Sequence, residues 1–480
     1  MSMAGLTMDY PLTLAAVARR AEALYAGRAV VSRRSDGSVH RTCYGESLGR
    51  ARRLARALRR LGVEPGDRVA TLCWNHDRHF EAYFAVPLLG AVLHTLNLRL
   101  HPDELGYIAR HGEDRVVIAD RSLLPLLAAF RDRTGIEQVI VVDDVSEQEP
   151  AAAEHGAAAT IAGSGPDRRG PGPPAPLDYE ALLAAESDAP LDLPEPDERS
   201  AAVMCYTSGT TGRSKGVVYS HRALVLHSMA TAMAGSFGIS ADDTVLAVVP
   251  MFHANAWGLP FTAAFTGAGL VFPGPHPEPV GLLELIERER VSFSAGVPTV
   301  WLGVLERLDA CPGRYDLSAL RTVVVGGAAA PAALVHGLEQ RHGLRVETSW
   351  GMTEIAPVGT LGRLTPEGEA LPPAERDALR LKAGAPGALL ELRVRNQAGQ
   401  VPWDGRTLGE LEVRGAYVAS AYYRPEEDGG WFTADGWFRT GDIATIDPRG
   451  YLDIRDRSKD LIKSGGEWIS SVALEGAIMG

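Results

Sequence analysis

Between Tyr206 and Gly216 the chain reads Tyr-Thr-Ser-Gly-Thr-Thr-Gly-Arg-Ser-Lys-Gly, its densest run of phosphate-binding chemistry. Glycines lack a Cβ, so backbone can approach an anion closely. The hydroxyls of Thr207, Ser208, Thr210 and Thr211 and the N–H groups of Gly209 and Gly212 donate to anionic oxygen, and Lys215 adds a point charge. The run is not a Walker A loop, which needs Gly-Lys-Ser/Thr after four spacers. Here Ser214-Lys215-Gly216 stands at that place, which disfavours a P-loop ATPase.

Such a loop needs rigid elements behind it. The segment "AAVMCY" enters it as a strand. Upstream, "DRVATLCW", "RVVIAD" and "QVIVVDD" read as buried strands, and "HFEAYFAVPLLGAVL" reads as a helix between them. Residues 11–62 read as helical, with Leu48, Ala51, Leu54, Ala55 and Leu58 on one face. Downstream, "TVLAVVP", "AGLVFPG", "SFSAGVPTVW" and "LRTVVVGGAAAP" form a second βα series. The fold class expected is α/β, with doubly wound parallel sheets. Past Gly384, "LLELRV", "GELEVRG" and "GYLDIRD" alternate as in a small β-rich subdomain, placed at about 384–455. Residues 146–198 are rich in Ala, Gly and Pro, have little to bury and are expected to be mobile.

Composition narrows the possibilities. The 480 residues carry 48 basic and 60 acidic side chains, a net charge of −12, which argues against a general nucleic-acid coat. Cys43, Cys73, Cys205 and Cys311 have neither metal-ligand nor secretory spacing. No signal peptide opens the chain, and no apolar run approaches ~18 residues, so a cytoplasmic protein without a membrane span is expected. Only four lysines occur, Lys215, Lys382, Lys459 and Lys463, and Lys382 is read as a surface residue.

The loop and its sequel, "YTSGTTGRSKGVVYSHR", closely resemble the signature of the adenylate-forming superfamily, to which acyl-CoA synthetases belong. Ser214 replaces the usual proline and is expected to loosen the loop. "VPMFHANAWG", "VVVGGAAAP", "SWGMTE", "GELEVRG", "WFRTGDIA" and "RDRSKDLIKSGGEWISS" resemble the further motifs in order. The resemblance is greatest to bacterial medium- and long-chain fatty-acyl-CoA synthetases. It implies ATP and Mg²⁺, with coenzyme A as cosubstrate. It implies no nucleic acid, and a homodimer through the large domain.

Residue roles follow from the same resemblance. Ser208, Gly209, Thr210, Thr211, Gly212 and Lys215 would bind the β- and γ-phosphates, with Thr207, Lys215, Thr353 and Glu354 as catalytic candidates. Thr353 would meet the α-phosphate and Glu354 would hold magnesium. Asp442 and Arg457 would hold the ribose, while Trp350, Gly351, Met352, Gly327 and Ala328 would flank the nucleoside. The acyl pocket would comprise His253, Asn255, Trp257, Gly296, Val297, Pro298 and Trp301, with Trp257 gating a tunnel. No acid lies between Val248 and Gly269 to pair with an amine, which argues against an amino-acid substrate.

Residues 1–455 would thus be the adenylation domain, 456–463 a hinge containing Lys459 and Lys463, and 464–480 the start of a small domain. In the family that domain carries a further catalytic lysine, and none follows Lys463 here. A truncated chain that adenylates poorly is therefore expected. Aromatic or unusual acids, nitrite-type diazotisation, a carrier-protein acceptor, and a non-catalytic adenylate-binding remnant are the alternatives.

Overall fold

A computed structural model describes residues 5–144, 175–187, 195–207, 213–426 and 429–457, and the backbone of two short strands, Ile462–Ser464 and Glu467–Ile469. Two large sheets dominate. The first has seven strands in the spatial order Leu177–Asp178, Gln138–Val142, Val116–Asp120, Arg68–Leu72, Val92–Thr95, Ala201–Tyr206 and Gly216–Ser220. All its pairs are parallel except the last. The second has nine strands with a parallel centre from Ala29–Arg33 to Val346–Gly351, and antiparallel edges. This is the α/β class expected, and the strands are apolar because helices cover both faces. Val116–Asp120 is buried along its whole length.

Aromatic side chains join the two sheets. Tyr83 and Phe84, on helix Asp77–Leu88, meet Phe261 on helix Leu259–Thr266 at centroid distances of 5.2 and 5.8 Å. Asn75 fixes the sheets' relative position with buried hydrogen bonds. Its Nδ2 donates to the carbonyls of Ala247 and Val249 at 2.9 and 2.8 Å, and its Oδ1 accepts from Met251 N at 2.7 Å.

A third, antiparallel sheet of five strands runs from Leu390–Asn396 through Gly409–Gly415 and Phe438–Ile446 to Leu452–Arg457, with Gly399–Gln400 at its edge. Lys382 anchors this sheet: its Nζ lies 2.6 Å from Asp447 Oδ2 and its side chain is one-fifth exposed, 21%. It is a part-buried ion pair, not the surface residue expected. The carboxylate outweighed the polar prior for lysine.

Helix throughout 11–62 is also corrected. Helices Leu14–Tyr25 and Tyr44–Arg60 are separated by a hairpin of Ala29–Arg33 and Val39–Cys43. The β-branched Val30 and Val31 pair with Leu270 and Val271 of the second sheet, and Gly37, at φ +82°, makes the turn. Of the stretch expected to be mobile, 146–174 and 188–194 lie outside the described residues. Helix Tyr179–Ala184 lies inside it and buries Tyr179 and Leu183.

Candidate active site

The carboxyl ends of parallel strands are where α/β sheets bind ligands, because the chain turns there into exposed loops and helix N-termini. Here the strands Ala201–Tyr206, Phe293–Gly296, Thr322–Gly326 and Val346–Gly351 end at Thr207, Val297, Gly327 and Met352. Around them lies a cavity of about 780 Å³. Thr207, Lys215, His253, Trp257, Gly327, Gly351, Met352, Thr353, Glu354 and Arg457 line it, ten of the residues singled out by sequence.

The phosphate loop is closed at its base by the Tyr206–Gly216 strand pair. Thr207 N donates to the Lys215 carbonyl at 2.9 Å, and Lys215 N donates to Thr207 Oγ1 at 3.3 Å. Ser208, Gly209, Thr210, Thr211 and Gly212 lie outside the described residues, as does Lys459; Lys463 is described in its backbone alone. Ser214 does not leave the loop loose at its base. Its N–H donates to Glu104 Oε1 at 3.1 Å, a bond no proline could make.

Two buried acids belong to the site: Glu354 lines the cavity, and Asp442 is paired with Arg457, which lines it. Glu354 follows a bulged strand end and is 4% exposed. Burial raises its pKa, and the Tyr422 hydroxyl, donating to Oε1, opposes that rise. Asp442 accepts from Trp350 Nε1 at 2.8 Å and pairs with Arg457 Nε at 2.8 Å. The antiparallel register sets Asp442 directly opposite Arg457. Burial still raises the Asp442 pKa, because the partly exposed Arg457 charge is screened by water and offsets desolvation incompletely.

Another part of the cavity wall is shaped by backbone. Ala254, Asn255, Ala256, Trp257 and Gly258 have φ of +41°, +57°, +50°, +56° and +75°, one left-handed turn. Each non-glycine residue there costs roughly 1–2 kcal/mol, so the surroundings must enforce the turn. Asn75 and the Tyr83 hydroxyl hold Met251, and Thr95 Oγ1 donates to the Phe252 carbonyl at 3.2 Å. Gly258 closes the turn against His227: a Cβ there would sit 2.8 Å from the imidazole. The turn delivers the Trp257 indole across Gly326 and Gly327, where added Cβ atoms would lie 3.1 and 3.4 Å from its ring. His253 opens onto the cavity, and desolvation by the surrounding protein, with the Arg99 charge, lowers its pKa. It is therefore a neutral imidazole at neutral pH.

The model of a family described as AMP-binding enzyme matches residues 17–423. The chain belongs to that family. It is 48% identical over 475 residues to a long-chain-fatty-acid–CoA ligase of Thermus thermophilus, a match spanning 98% of this chain and 82% of that relative. It is 42% identical over 474 residues to a medium-chain-fatty-acid–CoA ligase of Ectopseudomonas oleovorans, spanning 98% of this chain and 82% of the relative. Its fold matches that of an anthranilate CoA ligase in complex with anthranoyl-AMP, with a TM-score of 0.81, 24% identity, and 98% and 82% of the two chains covered. This AMP-binding enzyme is thus an ATP-dependent acid–thiol ligase of the AMP-forming type. The comparisons give no support to the expectation of a truncated, impaired enzyme, and it is not carried further.

Not every residue proposed for the site of this AMP-binding enzyme reaches the cavity wall. Trp301 is corrected to core: it is fully buried, its Nε1 donates to the Val324 carbonyl at 3.2 Å, and it packs beneath the second sheet with Val304 and Leu334. Helix Pro298–Ala310 points it there, one turn past the loop. Gly296 and Pro298 are buried off the wall, and Val297 reaches only the Gly327 edge. Asn255 is buried, its Oδ1 accepting from Cys205 Sγ at 3.5 Å. Ala328 is also off the wall, and Trp350 lies behind Asp442 as a donor, its ring packed on Gly359. Conversely, Tyr422, Trp431, Phe438, Arg439 and Glu410 line the cavity and had not been singled out. The aromatic density of "SAYYRPEEDGGWFTADGWF" was the available signal.

Among the described residues, no helix is long and apolar enough to cross a membrane.

Proposed function

We propose that this ligase activates a medium- or long-chain fatty acid. The acid's carboxylate oxygen attacks the α-phosphorus of ATP and pyrophosphate leaves. The sulfur of coenzyme A then attacks the acyl carbon of the adenylate and AMP leaves. One observation carries the reading: a single cavity is lined both by charged groups, among them Lys215, Glu354 and Arg457, and by uncharged ones, Ala254, Trp257, Pro357 and Val358, with His253 beside them. Uncharged lining suits an alkyl chain, and the segment His253–Gly258 offers no carboxylate to an ammonium group. The similarity to two fatty-acid–CoA ligases supports the same substrate class.

Asp442 is suited to accept from ribose hydroxyls while Arg457 holds it in place. Lys215 and the loop N–H groups would meet the phosphate chain, so the transfer is catalysed by positioning and charge. The donor chemistry of Glu354, a carboxylate opening onto the same cavity as Lys215 and Thr353, fits a hard cation. Magnesium held there would supply neutralising charge to the phosphates.

Pyrophosphate release and thioester formation, measured across a panel of acids, test this. Octanoate to palmitate should give the highest kcat/KM. An aromatic acid or nitrite preferred over these would overturn the substrate class. Pyrophosphate release without a coenzyme A thioester would overturn the acceptor, pointing to a carrier protein. Nucleotide binding with no turnover of any acid would overturn the catalytic reading.

A further inference from the structure

The stretch Ala419–Glu426 reaches the cavity wall at Tyr422 and contacts Glu354, Lys215 and the arm of the loop that carries Lys215. Ala419 N donates to the Glu354 carbonyl at 2.8 Å, and the Tyr422 hydroxyl donates to the Glu354 carboxylate. Tyr423 N donates to the Gly216 carbonyl at 2.8 Å. Arg424 pairs with Glu113 and its carbonyl faces His111 Nε2 at 3.1 Å. Glu426 pairs with Arg213, inside the phosphate loop, at 2.7 Å. One short segment therefore holds both the candidate metal ligand and the C-terminal arm of the loop, Arg213–Gly216.

Lys215 is caught in the same device. Its Nζ sits 4.7 Å from the Trp431 ring centroid and 5.4 Å from that of Tyr422. The two rings meet edge to face, with centroids 4.8 Å apart and planes at 85°. Tyr422 is 8% exposed and packs on Phe432 and Phe438, so it has little freedom to turn. A lysine stem is flexible and its ammonium has no fixed direction. Aromatic faces attract that charge without neutralising it, as a carboxylate would. Phosphate can therefore compete for it.

We propose that Tyr422 and Trp431 are positioning residues for the nucleotide step, with Tyr422 orienting Glu354 for the metal and the Tyr422–Trp431 pair holding Lys215 beside the phosphate path. The inference rests on the nucleotide reading of this cavity. It assigns the two aromatics separable duties. The Tyr422 hydroxyl serves the metal side, and the Trp431 face serves the phosphate side.

The test uses the full chain as wild type, Tyr422→Phe, Trp431→Leu and Trp431→Phe. ATP binding is measured in EDTA, and the Mg²⁺ dependence of acid-driven pyrophosphate release is measured at saturating ATP, with thermal midpoints alongside. Tyr422→Phe should raise the Mg²⁺ needed for half-maximal rate by about tenfold, with metal-free ATP binding within about twofold of wild type. Trp431→Leu should weaken metal-free ATP binding about fivefold and leave the Mg²⁺ requirement unchanged, with Trp431→Phe recovering most of the loss. Both variants shifting both quantities together with the thermal midpoint, or neither shifting either, would overturn the inference. Wild type failing to bind ATP would instead overturn the nucleotide reading beneath it.

Discussion

Two regions beside the cavity are built by different means. Where the nucleotide is proposed to bind, the acids are held by other side chains: Asp442 by Trp350 and Arg457, and Glu354 by Tyr422. Where the acyl chain is proposed to lie, the decisive feature is backbone, a left-handed turn at Ala254–Gly258 that carries Trp257 over Gly326 and Gly327. The contrast separates two kinds of constraint. A charge network tolerates little change in chemical type, whereas a strained turn tolerates changes of type that preserve its φ angles.

The sharpest way to break the comparison is at the charged groups. Glu354→Gln keeps the shape and removes the charge, and should lower adenylation by about 10²–10³, measured as acid-dependent pyrophosphate release. A loss under tenfold would remove Glu354 from the metal role. The same acid sets a pH dependence. Burial raises the pKa of Glu354 and of Asp442, so the acid limb of activity should lie above the ordinary carboxylate range. For stability the sign is opposite. An acid whose folded pKa is raised binds its proton more tightly when folded, so its contribution to stability is present at low pH and lost as pH rises through the folded pKa. Activity and stability should therefore move in opposite directions across that window.

At the backbone turn the expected effect is smaller and of another kind. Trp257→Ala leaves the turn's φ values available and opens space above Gly326 and Gly327. The ratio of kcat/KM for long over medium acids should shift by about tenfold, as the volume of an indole permits, while the KM for ATP stays near wild type. A matching rise in the KM for ATP would mean that the two regions are one constraint, not two.

The same contrast explains what could be read without coordinates. Strands such as Val116–Asp120 and Thr322–Gly326 were legible because buried parallel strands are uniformly apolar. Thr207, Lys215, Glu354 and Arg457, singled out through the family-like motifs that contain them, meet in one cavity, with Asp442 paired to Arg457. The left-handed turn was not legible, since "HANAW" holds no glycine and its φ values are imposed by Asn75, Tyr83 and Thr95 from far away in sequence. Trp301 was misread for a related reason: one helical turn decides whether a side chain after Pro298 faces cavity or core. The hairpin at Ala29–Cys43 was hidden by helices on both sides, and its stabilising partner, strand Gly269–Phe272, lies more than two hundred residues downstream.

Ser214 gives the finest probe, because it lies where chemical type and backbone meet. Its N–H bond to Glu104 is part-buried and ends on a carboxylate, so its loss should cost about 1.5–3 kcal/mol at most. Ser214→Pro deletes that donor. Thermal stability should fall slightly, and kcat/KM for ATP should drop by no more than about tenfold, which is 1.4 kcal/mol, because the other donors of the loop remain. Glu104→Ala removes the acceptor and should produce the same small loss. Combining the two should add little beyond either one, since both delete a single bond. Additive losses would mean that proline disturbs the loop through its fixed φ, and that backbone conformation, not the bond to Glu104, is what serine contributes there.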